Sequence, residues 1–176
     1  QRLASLACEP SGAVELNTQV VSLKEGPTAV EVVTNQGKFS AGKVFNCAGL
    51  HSDRIARLSD LHSKIMIVPF RGEYFALRED AKRLCKNLIY PVPDPAFPFL
   101  GVHFTRMIDG TVECGPNAVF AFGREGYGKL QVNLRDLAES LSFVGFHKLA
   151  AKHWRRGCGE FWRSVCKTAF VSALQR

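Results

Sequence analysis

Polar and apolar positions follow two periods along this chain: alternation in its first part and helical spacing in its last. Residues 2–8 read as the end of an amphipathic helix, stopped by Glu9-Pro10-Ser11-Gly12. Residues 14–24 and 28–34 alternate or run β-branched on either side of Glu25-Gly26-Pro27. Asn35-Gln36-Gly37 then turns the chain before Lys38-Phe39-Ser40, which predicts a three-stranded meander. Residues 43–47 form a compact apolar run ending in Ala48-Gly49, the pattern of a buried strand. A helix follows over 52–58, with Ser52 as its N-cap and Asp53 in its first turn.

Residues 64–78 read as one long strand with a bend or bulge at Pro69 and Gly72. Four prolines at 91, 93, 95 and 98 make 88–100 an ordered loop. Residues 101–108 and 111–115 flank Asp109-Gly110, a strong hairpin signal. From Leu134 onward, two segments carry apolar residues at i, i+3 and i+4, one ending near Trp154 and one starting at Glu160. The fold class expected is mixed α+β. Residues 1–60 are expected to hold the helix end, the meander and a strand–helix step, 61–133 an antiparallel-sheet region, and 134–176 its C-terminal helices.

Composition narrows the class. Apolar residues make up 46% and charged residues 22% of 176, the values of a globular protein rather than a disordered tail. Apolar stretches such as 65–70 fall far short of the roughly 20 residues needed to cross a bilayer. The start, Gln1-Arg2-Leu3, is no secretory leader and reads as the middle of a longer polypeptide.

Lys plus Arg outnumber Asp plus Glu by 23 to 16, and the excess is local. Between 147 and 167 stand Lys148, Lys152, Arg155, Arg156, Arg163 and Lys167 against Glu160 alone. Trp154, Cys158, Phe161 and Trp162 recur there at helical spacing, the pattern of a helix burying one face. The bases then read as its solvated side, and no nucleic-acid partner is expected. The competing reading is a non-catalytic module that uses this basic end on nucleic acid or an anionic membrane. Six cysteines include no Cys-x-x-Cys pair and no zinc-like spacing, so no metal site is expected. They read as buried, reduced thiols of the cytoplasm or another reducing compartment.

Three blocks carry chemistry. VFNCAG at 44–49 ends a strand in small residues, where backbone can approach a ligand unobstructed. In IVPFRGEY at 67–74, Arg71 offers a planar cation suited to a carboxylate. Alternation places Arg71 beside Glu73, with Phe70 and Tyr74 on the other face, so pairing with a neighbouring acid is equally consistent. In the block 88–106, His103 and Thr105 share a strand face, and histidine is the side chain best poised for proton transfer near neutral pH. There is no Gly-x-Gly-x-x-Gly, no Walker loop and no Gly-x-Ser-x-Gly elbow.

The stretches VFNCAGLHSDRIARL (44–58), IVPFRGEY (67–74), LIYPVPDPAFPFLGVHFTR (88–106) and DGTVECGPNAVFAFGREGY (109–127) resemble the FAD-dependent L-2-hydroxyglutarate oxidase/dehydrogenase family, within the D-amino-acid-oxidase-like flavoenzymes. The meander fits in pattern only. The resemblance implies FAD as cofactor, with Val20 beside the adenine and Cys47, Ala48 and Gly49 beside the ribose and pyrophosphate. It implies oxidation of L-2-hydroxyglutarate to 2-oxoglutarate, a small dicarboxylate substrate. His103 would serve as base or hydroxyl-orienting group, Arg71 would meet a carboxylate, and Tyr74 or Thr105 would hydrogen-bond. Arg106 is a further carboxylate candidate on the opposite strand face from Thr105. Residues 44–117 would then form one wall of a cavity shared by flavin and diacid. Other 2-hydroxy or 2-amino acid oxidation by the same superfamily is the alternative, and nothing in these residues selects the electron acceptor. Chains of that family are longer and begin with a phosphate-cradling loop. This chain alone is therefore expected to bind FAD weakly or not at all, and to self-associate through open sheet edge and apolar surface.

Overall fold

The computed structural model describes residues 2–9, 11–59, 64–92, 95 and 101–174, and divides into two units, 1–67 and 68–176. Each contains a three-stranded antiparallel sheet, so the mixed α+β class holds.

In the first unit, helix α1 (Arg2–Ala7) buries no residue. Strands β1 (Val20–Glu25), β2 (Val30–Thr34) and β3 (Gly37–Ala41) form the predicted meander in the order β1-β2-β3. The first turn closes where Gly26 N–H donates to Ala29 O at 2.9 Å, and in the second the Thr34 hydroxyl donates to Gly37 O at 2.8 Å. Leu23 on β1 is buried, and its N–H reaches Leu58 O across from the helical turn. That turn begins as a 3-10 helix, Gly49–His51, and continues as α2 (Ser52–Ala56). Ser52 does not cap it as expected. Its hydroxyl donates backward to Gly49 O at 2.9 Å, and His51 occupies the N-cap position.

Residues 43–47 are the main departure. Their apolar pattern predicts a buried strand, yet they form no ladder and lie exposed. A strand needs a neighbour to take up its N–H and C=O groups, and no described segment supplies one.

The second unit is built on β4 (Phe70–Ala76), β5 (His103–Arg106) and β6 (Val112–Phe120), in the order β4-β6-β5. The hairpin at Asp109-Gly110 is present, with Gly110 at φ +83, a left-handed turn position where glycine is unstrained. The expected long strand starts only after Pro69 and runs through Gly72 without a break. Its irregularity lies opposite Gly115 and Pro116, where Glu73 pairs with Asn117 but Phe75 with Cys114. Residues 93–94 and 96–100 of the proline-rich loop lie outside the described residues.

Three helices follow: α3 (Leu134–Ser142), α4 (Val144–Val165) and α5 (Lys167–Leu174). The Asn133 side chain caps α3 by accepting from Asp136 N–H. The chain breaks at Phe143, then runs through Gly157 and Gly159, which the sequence pattern left between helices, with a kink at His153. β5 covers β6 only over 112–115, so the remaining edge of β6 needs another partner. α4 supplies it: Ala118 N–H donates to Glu160 Oε2 at 3.2 Å and Asn117 Nδ2 to Glu160 O at 2.7 Å. α5 buries Phe170 against Phe75, ring centroids 4.6 Å apart. The aromatic face of α4 is not buried as its spacing suggests, since Trp154, Phe161 and Trp162 are all exposed. The cysteine expectation is also corrected. Cys85 and Cys114 are buried, whereas Cys8, Cys47 and Cys158 are exposed.

Candidate active site

The register of the second sheet sorts the candidate residues onto its two faces. A Cβ on Gly72 would lie 3.2 Å from both Pro116 Cβ and the Tyr74 ring, and one on Gly115 would lie 2.7 Å from Tyr74 Cδ1. Gly72, Tyr74, Gly115 and Pro116 therefore share a face, and only glycine at 115 lets the Tyr74 ring lie this close to the strand. His103 pairs with Gly115 and Thr105 with Glu113, which brings both onto that face. Arg71 and Glu73 alternate with Gly72 and Tyr74 and so project from the other side.

On the first face, His103 is buried, 7% exposed. Its Nδ1 lies 2.9 Å from Gly101 O. A carbonyl oxygen only accepts, so Nδ1 carries the proton, and in the neutral form of the ring the lone pair is on Nε2. The imidazole stacks on the Tyr90 ring, centroids 4.2 Å apart and planes 24° from parallel. Tyr90 is held there by its neighbour: Ile89 and Phe104 exchange two backbone hydrogen bonds, 3.0 and 2.9 Å, outside the named strands. Tyr74 completes the group, half exposed. Burial, and then the negative charge of Glu113, push its phenol above the ordinary value, so it remains a proton-bearing donor at physiological pH.

Arg71 sits in a different setting. Its Nε and Nη2 donate to Glu73 Oε1 at 3.3 and 2.9 Å, and its Nη1 donates to the carbonyls of Gly126 and Gly128 at 3.2 and 3.1 Å. Lys129 lies 4.0 Å from Glu73 Oε2 and also donates to Ser164 O. Of the two arrangements open in the sequence, the one adopted is the pairing with the adjacent acid. Arg71 and His103 do not face one hollow, because Arg71 stands one position from Gly72 and three from Tyr74 and so projects from the opposite side of the strand. Arg106 alternates with Thr105 and donates through Nη1 to the carbonyls of Cys85 and Lys82 at 3.1 and 3.4 Å.

In the first unit, the predicted cofactor residues present backbone. Val20 opens β1 opposite Thr34. Cys47, Ala48 and Gly49 are exposed, and Gly49 adopts φ +54 with nothing within 4 Å of the place a Cβ would occupy. The Asn46 side chain shapes the loop, accepting from Ala48 N–H at 3.2 Å and donating to Ser52 O at 2.7 Å. Asp53, buried beneath, accepts from Arg57 Nη2 and Ile67 N–H, each at 3.2 Å, which ties the helix to the chain leading out of the unit.

A model of the family described as FAD dependent oxidoreductase matches residues 1–152. The chain belongs to that family. Among curated relatives, an L-2-hydroxyglutarate dehydrogenase of Indibacter alkaliphilus is 53% identical over 165 residues, covering 93% of this chain and 41% of the relative. One from Escherichia coli K12 is 41% identical over 175 residues, covering 99% of this chain and 42% of its own length. A mitochondrial L-2-hydroxyglutarate dehydrogenase from Nematostella vectensis is 52% identical over 133 residues, 76% of this chain and 29% of the relative. The chain thus spans less than half the length of these relatives.

Two residues of the His103 cluster escape sequence reasoning. Tyr90 lies in a proline-rich stretch that reads as loop, and only the Ile89–Phe104 bridge reveals its register. Glu113 was legible in principle, since a hairpin centred on Asp109 sets Thr105 opposite it. Among the described residues no group of three His, Cys, Asp or Glu is placed to hold a metal ion, and no helix is long and apolar enough to cross a membrane.

Proposed function

We propose that this chain supplies the hydroxyl-activating part of a flavoenzyme that oxidises L-2-hydroxyglutarate to 2-oxoglutarate. The observation that carries the reading is His103: its Nδ1–H is spent on Gly101 O, which leaves Nε2 as the proton acceptor of a buried ring. Relatives named for L-2-hydroxyglutarate, with up to 53% identity across most of this chain, supply the substrate class.

In this reading the 2-hydroxyl proton passes to His103 Nε2 as the C2–H bond breaks. The Tyr74 phenol and the Thr105 hydroxyl, on the same face, orient the substrate by hydrogen bonds. Bound FAD supplies the two-electron acceptor for the hydrogen leaving C2. Val20, Cys47, Ala48 and Gly49 would hold its adenosine half through backbone groups. The left-handed glycine at 49 fits such a role, because its surroundings leave room for close approach and a side chain there would be strained. Arg71 and Arg106, with donors committed to Glu73 and to backbone carbonyls, support the sheet behind the reacting face.

A substrate panel tests the reading in a full-length protein carrying this segment. L-2-hydroxyglutarate should be oxidised far faster than its D enantiomer, lactate or glycerol 3-phosphate. Preference for a 2-amino acid or for lactate would assign a different reaction.

A further inference from the structure

Tyr90 belongs to no strand or helix of the fold, yet it meets the residue on which the proposed chemistry turns. We propose that Tyr90 is a positioning residue whose ring fixes the plane and tautomer of His103, an inference that rests on the reading of His103 as the base. Three constraints converge. The paired hydrogen bonds between Ile89 and Phe104 set residue 90 across from residue 103 whatever its side chain. The two rings lie nearly parallel at 4.2 Å, so rotation of the imidazole about χ2 would collide with the phenol ring. Pro91 follows directly, and a Cβ on Gly101 would lie 2.9 Å from Pro91 Cγ. The residue whose carbonyl receives Nδ1–H therefore packs against the same Tyr90-Pro91 step. Stacking and hydrogen bond are two ends of one clamp: the stack sets the ring plane, and Gly101 O selects which nitrogen bears the proton.

The Tyr90 phenol itself is half exposed, so the contribution is assigned to the ring face rather than the hydroxyl. That makes the expectation specific. In a full-length protein carrying this segment, Tyr90→Phe should keep kcat within about twofold, whereas Tyr90→Leu should lower it by about tenfold or more at unchanged flavin content. In a His103→Gln background, Tyr90→Leu should cost nothing further, since both act through one group. A readout independent of turnover is 15N NMR of the histidine rings: His103 should be a single Nδ1–H tautomer in the parent and in Tyr90→Phe, and a mixture in Tyr90→Leu. Wild-type kcat with an unmixed tautomer in Tyr90→Leu would overturn the proposal. So would an equal loss in Tyr90→Phe, or a full additional loss on top of His103→Gln. If His103→Gln alone leaves turnover intact, the base assignment fails, and the tautomer measurement still decides whether Tyr90 positions the ring.

Discussion

Arg71 Nη2 donates to Glu73 Oε1 at 2.9 Å between two residues of one strand, with side chains only 10% and 12% exposed. A guanidinium so enclosed, with Nη1 also bonded to Gly126 and Gly128, holds the 126–128 loop against the sheet. Removing it leaves Glu73 with Lys129 and Ser164 as partners. Arg71→Ala is expected to destabilise the fold by about 3 kcal/mol, the low end for breaking a buried pair. Urea unfolding followed by circular dichroism measures this, and a change below about 0.5 kcal/mol, ordinary for a surface site, would contradict it.

The same pair carries an acid-side signature. Burial raises the Glu73 carboxyl, but hydrogen bonds from Ser164 and Arg71 and the charges of Lys129 and Arg71 outweigh it and hold the group below its ordinary 4.5. A folded-state pKa below the unfolded one contributes stability above that ordinary value, and the contribution is lost as pH falls through the folded one. Thermal midpoints taken from neutral pH downward should therefore drop once the pH passes below 4.5, and Glu73→Gln should flatten the drop. Superimposable acid profiles for the two proteins would show that Glu73 is not the group involved.

Gly101 offers a test of the His103 clamp from the backbone side. A methyl at this position would meet Pro91 Cγ at 2.9 Å, and Pro91 cannot swing aside as a flexible side chain would. Gly101→Ala should push the Tyr90-Pro91 step off the imidazole and lower kcat by up to about 10², the scale of a small misplacement. Normal kcat in the folded variant would mean that the clamp tolerates displacement.

Thiol chemistry separates the two cysteine environments. Cys8, Cys47 and Cys158 are exposed, and Cys85 and Cys114 are buried. Burial raises the Cys114 thiol, whereas bonds to the Thr168 hydroxyl and the Ala169 backbone lower that of Cys166. Maleimide labelling of the native 176-residue chain, read by mass spectrometry, should modify Cys8, Cys47 and Cys158 in minutes and spare Cys85 and Cys114 until denaturant is added. Early modification of Cys114 would contradict the packing of α5 on the sheet.

Much of this arrangement was legible in the chain itself. Asp109-Gly110 announced a hairpin whose register sets His103 opposite Gly115, and the Gly26 and Gly37 turns marked the meander. Alternation separated Arg71 from Tyr74 correctly. It could not choose between a substrate carboxylate and Glu73 as the partner of Arg71, because that depends on the 126–128 carbonyls, which are distant in sequence. The apolar run 43–47 and the aromatic stripe of α4 misled for a shared reason. Periodicity reports that a face is fit for burial, whereas burial itself depends on a partner surface, and none of the described segments covers either.

The central claim is that His103 takes the hydroxyl proton. Its most direct test is the rate at which L-2-hydroxyglutarate bleaches the bound flavin in a single turnover of the full-length protein, compared between wild type and His103→Gln. A fall on the order of 10²–10⁴-fold at neutral pH, with flavin content unchanged, is predicted. An unaltered bleaching rate would contradict it.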